Sequence, residues 1–164
     1  MEVAQHCLTS PAAMATELQK LKSINPNFLL AFGSETLLKA AADPLQAAFP
    51  DAVRVGCTTA GEISNQGVAD NSCVITAVRF DKSTLRESST RLAGMADSFA
   101  AGQRLGQQLP RDGLRAVLVL GQGVSINGSE LIAGLVSVVG AEVPITGGLA
   151  GDAAAFKESW VLNA

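Results

Sequence analysis

This chain has little with which to do acid–base or metal chemistry. Its 164 residues include one His, one Trp, no Tyr and three Cys. The cysteines, Cys7, Cys57 and Cys73, form no C-x-x-C pair, so neither a disulfide framework nor a zinc site is expected, and a reducing cytoplasm is the natural setting. No stretch follows H-E-x-x-H, G-x-x-x-x-G-K-[ST] or G-x-G-x-x-G, which removes the zincin, P-loop and dinucleotide-binding readings. Positive charge is also short: 12 Lys and Arg face 15 Asp and Glu, a net −3, with no basic cluster. Nucleic acid and anionic membrane surfaces are therefore poor partners. The longest apolar runs, Phe28 to Phe32 and Ala116 to Leu120, have strand length and cannot span a bilayer. No basic segment followed by a long apolar stretch opens the chain, so no secretory signal is visible.

Apolar residues are plentiful, at 48%, with only 16% charged. That suffices for one domain with a core built on Leu, Val, Ile and Ala, because aromatic residues are few. Local patterns predict the elements. Ser10-Pro11 opens a helix to about Leu21, striped by Met14, Leu18 and Leu21. Phe28 to Phe32 is a strand buried on both sides. Ser34 caps a second helix, which Asp43-Pro44 restarts as a short one ending near Phe49-Pro50. Strands follow at Ala52 to Cys57 and Ser72 to Phe80. The second turns back through Asp81 to Ser83 into a polar edge strand, Leu85 to Leu92. A helix from about Ala96 to Leu109 leads to a buried strand, Arg115 to Leu120. Asn127 and Glu130 have capping-box spacing before a helix carrying Leu131, Leu135 and Val139. Val143 to Thr146 and Ser159 to Leu162 complete the pattern. The fold class is α/β: a mixed β-sheet flanked by helices, with parallel helix-linked strands plus a central antiparallel hairpin. The terminal strand reads as unfinished, so residues 1–164 are expected to be the front part of a longer protein, with a sheet edge near Trp160 left for a further domain or a second copy.

Three glycine-bearing loops each follow an apolar run: GCTTAGEI (Gly56 to Ile63), GQGVSINGSEL (Gly121 to Leu131) and TGGLAGD (Thr146 to Asp152). Glycine lets main-chain amides approach a bound group, and loops leaving the carboxyl ends of strands line the usual crevice of α/β sheets. These segments, in this order and spacing, resemble the signature segments of the FIST domain, in its N-terminal module. The resemblance implies an intracellular sensory domain of bacterial and archaeal signalling proteins, related to part of some eukaryotic F-box proteins. It also implies binding of small ligands such as amino acids, haem-dependent nitric-oxide sensing in some members, and a C-terminal FIST module as neighbour. One departure is Gln122-Gly123, where relatives often carry Asp-Gly; no charge role is assigned there.

The residues expected to line a shared recess are Cys57, Thr58, Thr59, Gly61 and Glu62, then Asn127, Gly128 and Ser129, then Gly147, Gly148, Gly151 and Asp152. The amides starting the helix at Gly128 suit a carboxylate, and Glu62 or Asp152 an ammonium, which together describe an amino-acid site. The plainer readings are local caps and turns for Asn127, Glu62 and Asp152, and a pocket-lining role for Cys57. A nucleophilic Cys57 needs a base, and His6 is the only imidazole; no catalytic residue is assigned. His6 beside Cys7 is the one local pair suited to haem. The expectation is a non-enzymatic, cytoplasmic sensory module passing a ligand-induced change to a signalling partner, such as a kinase or cyclase, or to a C-terminal module, with homo-oligomerisation as a further expectation. A haem sensor and a cysteine-dependent enzyme are the alternatives.

Overall fold

A computed structural model describes residues 1–153, 155 and 157–162. Five strands form the main sheet, in the order β1 (Glu2–Leu8), β6 (Cys73–Arg79), β2 (Phe28–Gly33), β3 (Val53–Thr58), β9 (Val161–Leu162). Only β2 and β3 run parallel; β6 lies antiparallel to both β1 and β2, and β9 antiparallel to β3. The helices α1 (Met14–Leu21) and α2 (Glu35–Ala48) pack on one face. There Leu8, Leu18, Leu21, Leu29, Leu38, Leu45 and Ile75 are almost wholly excluded from solvent. Burying such a side chain contributes about 1.5–3 kcal/mol, so this aliphatic layer carries the sheet without aromatic help.

Several expected elements change. The first strand, β1, was not foreseen, because EVAQHCL has no clean alternation; its seven-residue ladder with β6, Glu2 opposite Arg79 to Leu8 opposite Cys73, holds it in place. The expected break at Asp43-Pro44 does not occur: α2 continues through Pro44. A proline inside a helix costs about 3 kcal/mol or more, yet Leu37, Leu38, Ala41 and Leu45 stay buried on one stripe only if the helix runs on. Ser34 stands at the N-cap position but makes no capping hydrogen bond. Phe28 to Phe32 is central but buried fully on one face only, with Leu29 and Ala31 inward and Phe28, Leu30 and Phe32 half-buried.

The returning strand expected at Leu85 to Leu92 is instead an extended strap without ladder bonds. Helix α3 (Ser98–Gln107) holds it by side chains. Arg104 donates from Nε to Thr90 Oγ1 at 3.0 Å and from Nη2 to the Arg91 carbonyl at 2.9 Å, and Gln108 Nε2 donates to the Ser89 carbonyl at 3.0 Å. A polar stretch with no apolar face has nothing to bury in a sheet, so side-chain donors satisfy its main chain. The mixed character of the sheet comes from the antiparallel pairing of β6 with β1 and β2 and of β9 with β3, while β4 (Glu62–Ser64) and β5 (Gly67–Ala69) make a separate short hairpin.

The C-terminal half is a second layer. Strands β7 (Val117–Gly121) and β8 (Ile145–Leu149) pair in parallel, with α3 and α4 (Gly128–Val139) close by. Far from being buried, β7 has only this partner among the described residues, and Leu118 is 42% exposed. The two helices cross with their backbones nearly touching. An ideal Cβ on Gly102 would lie 2.1 Å from the Leu131 carbonyl oxygen, and one on Gly134 would lie 2.0 Å from that of Phe99. Phe99 is 38% exposed, because Ser98, Ala101, Gly102 and Gly106 form the buried face of α3. Gly134→Ala therefore forces the helices apart. We expect a loss of about 1–3 kcal/mol, as for an overpacked core, read as a Tm fall of roughly 2–12 °C for a domain of this size. An unchanged Tm would contradict the crossing.

Candidate functional site

The three glycine-bearing segments converge, and they do so by bonding to one another. At the end of β3, the Thr58 N–H donates to the Trp160 carbonyl at 2.9 Å, and its hydroxyl accepts from the Trp160 N–H at 3.0 Å. Its carbonyl accepts from the Gly151 N–H at 2.8 Å. The Ala150 N–H donates to the Gly121 carbonyl at 2.8 Å, and the Gly123 N–H to Ser159 Oγ at 2.6 Å. This contact is so close that an ideal Cβ on Gly123 would sit 1.9 Å from the Ala150 carbonyl oxygen, which only glycine allows. The segments thus meet as packed main chain, joined to one another by the Gly151 and Ala150 amides and to the Ser159–Trp160 stretch by those of Thr58 and Gly123.

The acidic residues behave likewise. Glu62 begins β4 and is 2% exposed. Its Oε1 accepts from the Thr59 hydroxyl at 2.7 Å, while Oε2 accepts from the Ser72 N–H at 3.0 Å and its hydroxyl at 2.8 Å. Asp152 Oδ2 accepts from the Lys157 and Glu158 amides at 2.7 and 3.3 Å. Both carboxylates therefore fix local backbone, as capping groups do. Among the described residues, every buried side-chain nitrogen and oxygen has a partner.

Asn127 caps α4, with Oδ1 accepting from the Glu130 N–H at 3.2 Å and its own N–H donating to Ser98 Oγ at 2.9 Å. Ser129 beside it is exposed, and Gly128 packs toward Leu149. Gly147 and Gly148, expected in a loop, lie inside β8, because Gly147 must pass the Val119 carbonyl closely. Gly61 has φ +155° and faces Asp70, while Gly151 packs on Thr59 and Ala60.

Cys57 is 3% exposed, and burial pushes its thiol up to about 11. Burial likewise pushes Cys73 up to about 12, with the Glu62 carboxylate adding to it. A thiolate at either position is scarce at neutral pH, which argues against a nucleophile. His6 stands on the edge strand β1, with Nδ1 2.7 Å from Glu17 Oε2, on the helix side of the sheet.

The open space lies elsewhere. A cavity of about 460 Å³ runs beside β7, bounded by the inner faces of α3 and α4, the strap Glu87 to Leu92, Val55 of β3, and Val161 and Leu162 of β9. None of the residues expected to line a recess borders it. Gly121, Gln122, Ile126 and Leu131 of the second glycine segment do. The sequence reading missed this wall, although Leu105 on α3 and Leu109 just beyond it, four residues apart, gave a hint of an apolar face. The Asp97–Arg104 pair steadies α3 against the strap. Arg104, bonded at 3.0 and 2.7 Å, and then the Ala93 N–H hold the Asp97 carboxyl down at about 2.

Comparison with known proteins agrees with the resemblance read from the loops. The family model of the FIST N domain matches residues 27–164. No curated protein and no solved structure matches the chain.

Two outcomes follow from this geometry. Alkylation of the native protein at pH 8 should label Cys7, which is half-buried, ahead of Cys57 and Cys73, whose labelling should await unfolding; rapid native labelling of Cys57 would restore the nucleophile reading. Because the Asp97 carboxyl is depressed, its bond to Arg104 contributes stability that is complete above the ordinary carboxylate range, near pH 4, and lost as pH falls through about 2. A carboxyl resonance titrating near 4 would show that the pair does not hold in solution.

Proposed function

Because the chain belongs to the FIST N domain family, a family of sensory modules, we propose that it receives a small ligand in the cavity beside β7 and passes the resulting change to a signalling partner. The observation that carries this is the cavity itself. Its volume of about 460 Å³ falls within the usual range of small-molecule sites, roughly 300–1,000 Å³. Leu105, Leu131, Leu135 and Val161 supply an apolar lining, and Ser88, Gln122 and Ser159 a polar border. That combination suits a compact ligand with an apolar body and one polar end, which an aliphatic amino acid or a related metabolite provides. The charge-pair site at Glu62, Asp152 and the start of α4 is a weaker candidate, since those carboxylates already hold main-chain and hydroxyl donors. Transmission has a physical route. The strap is tied to α3 by side chains rather than by a ladder, and such segments move at lower cost than sheet strands.

Titration calorimetry with aliphatic amino acids and their N-acyl and deaminated relatives tests this. At least one should bind, and Leu105→Trp, which fills the cavity from a half-buried position, should weaken it tenfold or more with Tm little changed. No heat from any member of the panel, on folded protein, would remove the reading.

A further inference from the structure

The ligand class can be narrowed by asking which hydrogen-bonding groups around the cavity still lack a partner. On the strap, three acceptors are engaged: the Ser89 carbonyl with Gln108, and Thr90 Oγ1 and the Arg91 carbonyl with Arg104. Side-chain groups such as Ser88 and Gln122 border the space, but the main-chain feature without a partner among the described residues is the edge of β7. The Val117 N–H donates to the Pro144 carbonyl and the Gly121 carbonyl accepts from Ala150, so both point toward β8. Main-chain groups alternate along a strand, which turns the N–H and C=O of Leu118 and Leu120 to the opposite edge. Among the described residues no strand pairs with that edge, and both leucines line the cavity.

Resting on the cavity being the recognition site, we propose that its ligand is a short extended peptide that adds as a strand to β7. A purely apolar molecule would exclude water from the Leu118 and Leu120 amides without replacing its hydrogen bonds, which opposes binding. A peptide replaces them directly, as in other cases of strand addition. The two positions lie about 6.6 Å apart at a rise of ~3.3 Å per residue, so roughly three residues suffice to span them. Alternate side chains of such a peptide would rest on the apolar floor made by Leu105, Leu131 and Leu135. The preferred sequence therefore has small aliphatic residues at every second position. Sheet edges exist to each side: β9 already pairs with β3 across the cavity from β7, so an added strand continues a sheet surface that the fold has begun.

Hydrogen exchange followed residue by residue, with acetyl-Val-Ser-Val-Ser-Val-amide as probe, tests the proposal. The peptide should slow exchange at the Leu118 and Leu120 amides at least tenfold and leave Val119, already turned to β8, unchanged. Its counterpart N-methylated at each main-chain nitrogen, with the same side chains but no main-chain N–H donors, should bind at least tenfold more weakly. Equal affinity for the two peptides would overturn strand addition. So would Leu118 and Leu120 amides protected in the protein alone, which would mean that another part of the chain or a second copy holds the edge. Binding of free amino acids but not of the peptide would overturn it while leaving the small-ligand reading intact. Silence from peptides and amino acids alike would remove both.

Discussion

Thr58 is the joint on which the architecture turns. Three of its groups bridge to distant chain: the amide and hydroxyl to Trp160, the carbonyl to Gly151. These bonds fasten the β7–β8 layer and β9 to the end of β3, and Thr58 is 2% exposed, so water does not compete for them. The cavity owes its walls to this joint. Val55 belongs to the first layer and Leu118 to the second, and the two face one space only because the loops above them are fastened together.

A fastening made of main chain has consequences for chemistry. The Gly151 and Ala150 amides, spent on Thr58 and Gly121, are not free for an anion, and Glu62 and Asp152 already hold donors of their own, hydroxyls and an amide for the first and two amides for the second. The glycine-rich stretches of this family member thus act as cross-braces, and the open space lies beside them, along β7. A brace and a binding loop look alike in composition, since both need glycine for close approach. They differ in what the amides face.

How much was legible in advance follows physical lines. Helices with a regular stripe were found: Met14, Leu18 and Leu21 are buried as the spacing required, and Asn127 caps α4 as its position foretold. Errors fell where neighbours overrode local preference. Pro44 sits inside a helix because the core needs its stripe unbroken. Residues 85–92 have strand-like composition but are held by Arg104 and Gln108. The first seven residues of the sheet's edge, with no periodic pattern, are a strand because β6 offers a complete ladder. The glycine segments do gather, yet through main-chain bonds to one another and to Ser159 and Trp160, and no spacing rule states that.

By itself the sequence determined the class of fold, the aliphatic core, the cap at Asn127 and the family, because each depends on periodicity or on short motifs that survive in one dimension. Tertiary structure alone decided which side of each loop faces space, which carboxylates are already engaged, and which strand keeps an open edge. Those are questions of hydrogen-bond partners, and a partner far along the chain is visible only once folding has brought it within about 3 Å.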